Sequence, residues 1–144
     1  MFGGWQIKSA LAALASLFVY LVGGWDTLAQ ALVLLIALDV VAGLARAFVE
    51  KRLNSSIMRR GLIRKSCYFL AIILAVLVDR SVLHGAPAMR TLVISYLCVN
   101  EALSITEHLA AVGVPLPIPL KQALERARKE LANDPDERPV DRPA

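Results

Sequence analysis

Residues 95–108 read SYLCVNEALSITEH. Asn100 and Glu101 stand side by side in a run otherwise rich in Leu, Val, Ile and Ala, and Glu107 and His108 follow about two turns later. A carboxylate at the centre of a bilayer helix costs roughly 2.5–3.5 kcal/mol to insert. Whether this run is such a helix decides the fold, and it also decides what the carboxylate is for.

The surroundings answer the first half. The chain has 144 residues, 57% hydrophobic and 19% charged, with mean hydropathy +0.58. Soluble domains are about half apolar and a quarter charged, so this composition leans toward a membrane. The apolar residues come in long blocks, at 7–22, 27–49, 66–83 and 91–111. Each is comparable with the roughly 20 residues that cross a hydrocarbon core. Gly23-Gly24, Asn54-Ser55-Ser56 and Gly85-Ala86-Pro87 separate them as turn signals. The pattern predicts an all-α integral membrane protein with four transmembrane helices in residues 1–113. A signal peptide is the competing reading of the first block. Against it, only Gly23-Gly24-Trp25-Asp26 follows, with no small-x-small cleavage site, and three more apolar blocks come after.

Residues 114–144 differ in kind. Pro115, Pro117 and Pro119 stop the fourth helix and favour an extended strut. Leu120, Leu124, Ala127 and Leu131 then line one side of a short amphipathic helix, amid Lys121, Glu125, Arg126, Arg128, Lys129 and Glu130. This helix suits a membrane surface or a copy of itself. The segment 133–144, NDPDERPVDRPA, reads as disordered.

Orientation follows from the cations. Arg46, Lys51, Arg52, Arg59, Arg60, Arg64 and Lys65 crowd the connection between the second and third blocks. The Gly23–Asp26 turn has no basic residue, and the last connection has Arg80, Arg90 and His84. Short basic loops stay cytoplasmic, so the 46–65 segment and both termini are expected on the cytoplasmic side of the cytoplasmic membrane. There each basic residue gains about 1 kcal/mol beside anionic headgroups. The net charge of +4 is thereby explained without nucleic acid. Cys67 and Cys98 read as small apolar packers at different depths, not a disulfide. No metal-ligand spacing, phosphate loop or nucleophile elbow is present in the sequence, so no cofactor, metal or enzymatic activity is expected.

The polar residues of the blocks are not scattered. At 100° per residue, Asn100, Glu101, Ser104, Glu107 and His108 fall within about a third of a helix circumference. Asp39, Gly43, Arg46 and Glu50 share a face of the second helix. Asp39 and Glu101 lie at similar depth near the midplane, and such stripes cannot face lipid. Ser104 alone would be ordinary interhelical glue, worth about 0.6 kcal/mol. Two ionisable groups at one depth instead mark a water path, a proton site or an obligate contact between subunits. Asp39, Gly43, Arg46, Asn100, Glu101, Ser104 and Glu107 are therefore the candidate pore-lining or oligomer-contact residues. Ser9-x-x-x-Ala13 and Ala12-x-x-x-Ser16 add small-residue spacing that suits close helix approach.

Two stretches carry a family resemblance. LDVVAGLARAFVEKRLNSSIMRRGLIRK places an Asp in a helix, a Gly four residues on, a Ser pair and a Gly-x-x-x-Lys end. RTLVISYLCVNEALSITEHLAAVGVPLPIPLKQALE carries Asn-Glu-x-x-Ser-x-x-Glu and then Gly-Val-Pro-x-Pro before a final helix. From about Trp25 to Leu124 the chain resembles the toxin-secretion/phage-lysis holin family. Typical members have Asp-Tyr-x-Thr-Gly where this chain has Asp39-Val40-Val41-Ala42-Gly43, and many have Asn where it has His108. The resemblance implies a membrane protein that self-assembles and opens lesions through which a cell-wall hydrolase or a toxin crosses. Under it, subunits first bury the polar stripes and later turn Asp39, Arg46, Asn100 and Glu101 to water.

Two other classes fit the residues. Four short helices with two midplane carboxylates also suit a small oligomeric proton- or cation-coupled transporter or channel. Inverted repeats would favour it, and the sequence offers no convincing repeat. A passive membrane scaffold whose tail recruits a partner is the third. A neighbouring gene for a cell-wall hydrolase would favour the lesion-forming reading.

Overall fold

The structure, a computed structural model, describes residues 4–51 and 55–132. Its elements are α1 (Gly4–Leu21), α2 (Thr27–Val49), α3 (Ser55–Ser81), α4 (Ala88–Ala111) and α5 (Ile118–Ala132). All are helices because Ala, Leu, Arg and Lys dominate them and the Gly and Pro clusters fall between them.

Three of these, α2, α4 and the 59–81 portion of α3, are long and apolar enough to cross a membrane. The apolar α1 is shorter. Its 18 residues extend about 27 Å, just under the roughly 30 Å of a hydrocarbon core. Three to four helices can thus span.

α4 is the hub, touching α2, α3 and α5. Val22, Leu32, Ile72, Val76, Ile94 and Leu97 form the core where α2, α3 and α4 meet beside the end of α1. α1 joins at its C-terminal end. Phe18 meets Phe69 edge to face at 5.4 Å, and the Arg80 guanidinium stacks on the Tyr20 ring at 4.2 Å. Arg80 also donates to the Tyr20 carbonyl at 2.8 Å. The outside is apolar: Trp5, Leu34, Leu38, Phe48, Leu70 and Leu74 are all exposed. In water such a surface would aggregate, whereas in lipid it is the proper exterior.

The helices differ from the apolar blocks chiefly at α3. The third helix does not wait for the apolar block at 66 but begins at Ser55. The Ser55-Ser56 turn signal is thus its first turn, while Asn54 and Arg52 lie outside the described residues. Arg and Lys are good helix formers, and exposed Arg59, Arg60 and Arg64 hold their charges outward while the helix continues. Lys65 is consequently a helix residue, not a loop cation. The fourth helix also starts earlier, at Ala88. Residues 133–144, read as disordered, lie outside the described residues.

Candidate functional site

Two groups of charge tie the helices together. At the end where the α1–α2 and α3–α4 turns meet, Arg90 lies in the first turn of α4 and is buried. Its guanidinium donates to the Val22 carbonyl at 2.7 Å, to the Gly24 carbonyl at 3.1 Å and to Asp26 at 2.6 and 3.2 Å. Gly23 is required there. Its φ is +79°, and a Cβ would sit 2.8 Å from Arg90 Cδ. Asp26 caps α2 by accepting the Ala29 N–H at 2.9 Å. The Arg90 guanidinium first, and that amide second, hold its carboxyl below the usual carboxylate range. Asp79, buried near the end of α3, accepts the N–H groups of Met89 and Arg90, both at 2.8 Å. Pro87 offers α4 no side-chain cap, so a carboxylate from a neighbouring helix caps it instead.

The second group lies eleven residues further along α4, about 16 Å away. Lys65 of α3 extends its ammonium between Asp39 of α2, whose Oδ2 is 3.0 Å away, and Oε2 of Glu101 on α4. Exposures are 6% for Lys65, 6% for Asp39 and 1% for Glu101. Tyr68, one turn along α3 from Lys65, sits with its ring 5.9 Å from the ammonium. His108, further along α4, brings Nε2 to 3.6 Å from Asp39 Oδ1. That is too long for a hydrogen bond, and among the described residues neither Asp39 Oδ1 nor His108 Nδ1 has a partner. The ring packs over Gly43, where a Cβ would make an ordinary van der Waals contact of 3.4 Å with Nε2.

Of the residues singled out in sequence, the structure brings together Asp39, Gly43 and Glu101, with His108 at the edge. It leaves the others outside the cluster. Arg46 is turned to Glu50, one helical turn on, at 2.8 Å. Glu107 is exposed, and Asn100 and Ser104 are half-buried. The residue that sequence reasoning missed is Lys65, and its signal was available: Lys65, Ile72, Val76 and Asp79 follow i, i+7, i+11, i+14 and are all buried. Arg90, Ile94, Leu97 and Glu101 trace the same kind of line on α4. Chemically, the cluster lets three apolar helices carry charge without presenting it to lipid. Among the described residues, no group of His, Cys, Asp and Glu could hold a metal ion.

Known proteins share this chain's pattern. A family model described as the bacteriophage holin family matches residues 16–129. A Clostridium perfringens protein named as an uncharacterised 14.9 kDa protein in the nagH 3′ region is 37% identical over 120 residues, covering 83% of this chain and 91% of that one. The uncharacterised protein YqxH of Bacillus subtilis is 37% identical over 122 residues, 82% of this chain and 85% of its own. A probable holin of Bacillus phage phi105 is 36% identical over 81 residues, 56% of this chain and 58% of that protein. No solved structure matches.

Proposed function

The chain belongs to the bacteriophage holin family, and from that premise we propose that it accumulates in the cytoplasmic membrane, self-associates and opens a lesion that releases a cell-wall hydrolase or a toxin. In this reading both termini and α5 lie on the cytoplasmic side, with the basic start of α3 against anionic headgroups. The observation that carries it is that Lys65 pairs with both Asp39 and Glu101 inside one chain. A subunit closed in this way has an apolar exterior, so copies can build up in lipid without harm. Separating α2, α3 and α4 would expose charges of both signs, together with the half-buried Asn100 and Ser104, beside Arg46 and Glu107. A wall of mixed sign suits a wide aqueous lesion better than a selective pore, which needs a ring of one sign. Four short helices cannot enclose a protein, so many subunits would line it.

Controlled expression with and without a cytoplasmic cell-wall hydrolase tests this. The hydrolase should escape, and cells should lyse, only when both proteins are present. Glu101→Gln, which keeps a hydrogen-bonding group and removes the charge, should insert normally and change the time of lysis. If Glu101→Gln and Glu101→Leu both lyse cells on the parental schedule, the cluster has no part in opening. Ion leak with the hydrolase retained would promote the small channel or coupled transporter, which the same buried carboxylates suit.

A further inference from the structure

The last helix carries apolar surface that the bundle does not cover. Ile118 is 72% and Leu120 44% exposed. Leu124, Ala127 and Leu131 are half-buried, and no residue of α5 is buried. The depth of this helix is set by α4. Ile118, Leu120 and Lys121 line one cavity with Thr106, Glu107 and Ala110, so the chain turns back beside the last turns of α4. At 1.5 Å per residue, those α4 positions lie about 2–8 Å from the helix end at Ala111. In a spanning helix that is the level at which headgroups give way to acyl chains.

Charge at this end is one-sided. α5 brings Lys121, Arg126, Arg128 and Lys129 against Glu125 and Glu130. A short turn joins α3 and α4 at the opposite end, so the start of α3 lies at this one, with exposed Arg59, Arg60 and Arg64. Arg46 and Glu50 of α2 offset each other, and Glu107 is the remaining exposed carboxylate of α4. A second copy of α5 would set these cations against one another, and water would leave Ile118 and Leu120 uncovered. An anionic bilayer surface supplies both complements at this depth: acyl chains for the apolar residues and phosphates for the cations.

We propose that α5 is an interfacial anchor that binds an anionic bilayer surface. Ile118 and Leu120 enter the acyl boundary, and Arg126 and Arg128 engage lipid phosphates. Both arginines are exposed, and a guanidinium takes a phosphate through paired hydrogen bonds. The anchor rests on α4 crossing a membrane and not on lesion formation, so its test can fail while the proposed function stands, and the reverse.

Amide hydrogen exchange of the full chain tests it, in nanodiscs of phosphatidylcholine alone or of phosphatidylcholine mixed with anionic phosphatidylglycerol. With the anionic lipid, α5 amides should exchange at least about fivefold more slowly, the worth of one basic residue at such a surface. Amides in the middle of α4 should not change. Arg126→Gln combined with Arg128→Gln should remove most of the difference. Salt at about 1 M, where the Debye length is about 3 Å, should do the same to the parent and needs no variant. Ile118→Ser combined with Leu120→Ser should quicken exchange of α5 in both lipids. Equal exchange of parental α5 in the two lipids, or a difference that survives both salt and the arginine variant, would overturn the anchor. Protection in phosphatidylcholine alone that grows with the number of chains per nanodisc would overturn it too, and would assign the surface to a second copy.

Discussion

The two charge groups have the same parts and different solutions. Each has one cation and two carboxylates, one from each of α2, α3 and α4 or their caps: Asp26, Asp79 and Arg90 at the turn end, Asp39, Lys65 and Glu101 deeper in. The cation and one carboxylate trade helices: the cation moves from α4 to α3 and the carboxylate from α3 to α4. At the turn end the surplus negative charge is met by the amides that open α2 and α4, which accept no other duty and carry the positive end of a helix dipole. The deep group has no helix terminus within reach, because its members are mid-helix. Its surplus therefore stays on Asp39 Oδ1. The turn end is built as a clamp, and the deep group is built with one valence open.

This difference predicts that the deep cation is the less replaceable of the two. Lys65→Met leaves two buried carboxylates facing each other with only Tyr68 and His108 beside them. Removing one partner of a buried pair costs about 3–5 kcal/mol, so unfolding in a detergent titration should shift strongly and the steady-state level in membranes should fall. The triple variant Lys65→Met, Asp39→Asn, Glu101→Gln removes the stranded charges and should recover most of the loss. A Lys65→Met protein as stable as the parent would mean that the ammonium does not neutralise the carboxylates as the geometry implies.

Sequence reading reached the carboxylates and not their partner, for a physical reason. Asp39 and Glu101 interrupt apolar runs, where an acidic residue is costly and hence conspicuous. Lys65 closes a basic run, RRGLIRK, where a cation is the expected marker of a helix end and of orientation. The same confusion made Arg90 a loop residue. Charge identity alone cannot separate a headgroup-facing Arg64 from the buried Lys65 beside it; the helical phase of Ile72 and Val76 can. The helices themselves were legible because apolar length and Gly or Pro punctuation are local properties. The start of α3 was not, because a helix can run on beyond the apolar block as long as its arginines reach water.

Arg90→Leu sharpens the comparison from the other side. It strips donors from the Val22 and Gly24 carbonyls and from Asp26, yet every carboxylate of the clamp retains a backbone donor: Asp79 holds the α4 amides and Asp26 the Ala29 amide. Hydrogen bonds to a charged group are worth about 1.5–3 kcal/mol, and the Asp26 share is screened by water because that side chain is 51% exposed. The expected cost is accordingly smaller than that of Lys65→Met in the same detergent titration. It should also be local, with amide exchange quickening at the α1–α2 turn and at the start of α4 before it does around Glu101. The reverse ranking would show that the turn-end amides do not offset charge as argued.

The smallest effect isolates Asp26. Its carboxyl is held below the usual carboxylate range, by Arg90 before all else. A carboxyl depressed in the folded state contributes stability that is present above the usual carboxylate range and is lost as pH falls through that range and below it. Half-exposed, it should contribute less than about 1 kcal/mol. Asp26→Asn keeps a side-chain oxygen for the Ala29 N–H and removes the charge that Arg90 binds. The difference in stability between parent and Asp26→Asn should therefore be small and constant near neutrality and should vanish on acidification. A parent-minus-Asp26→Asn difference that instead grew on acidification would show that Arg90 does not depend on a charged Asp26, and the turn end would then be a clamp made by carbonyls alone.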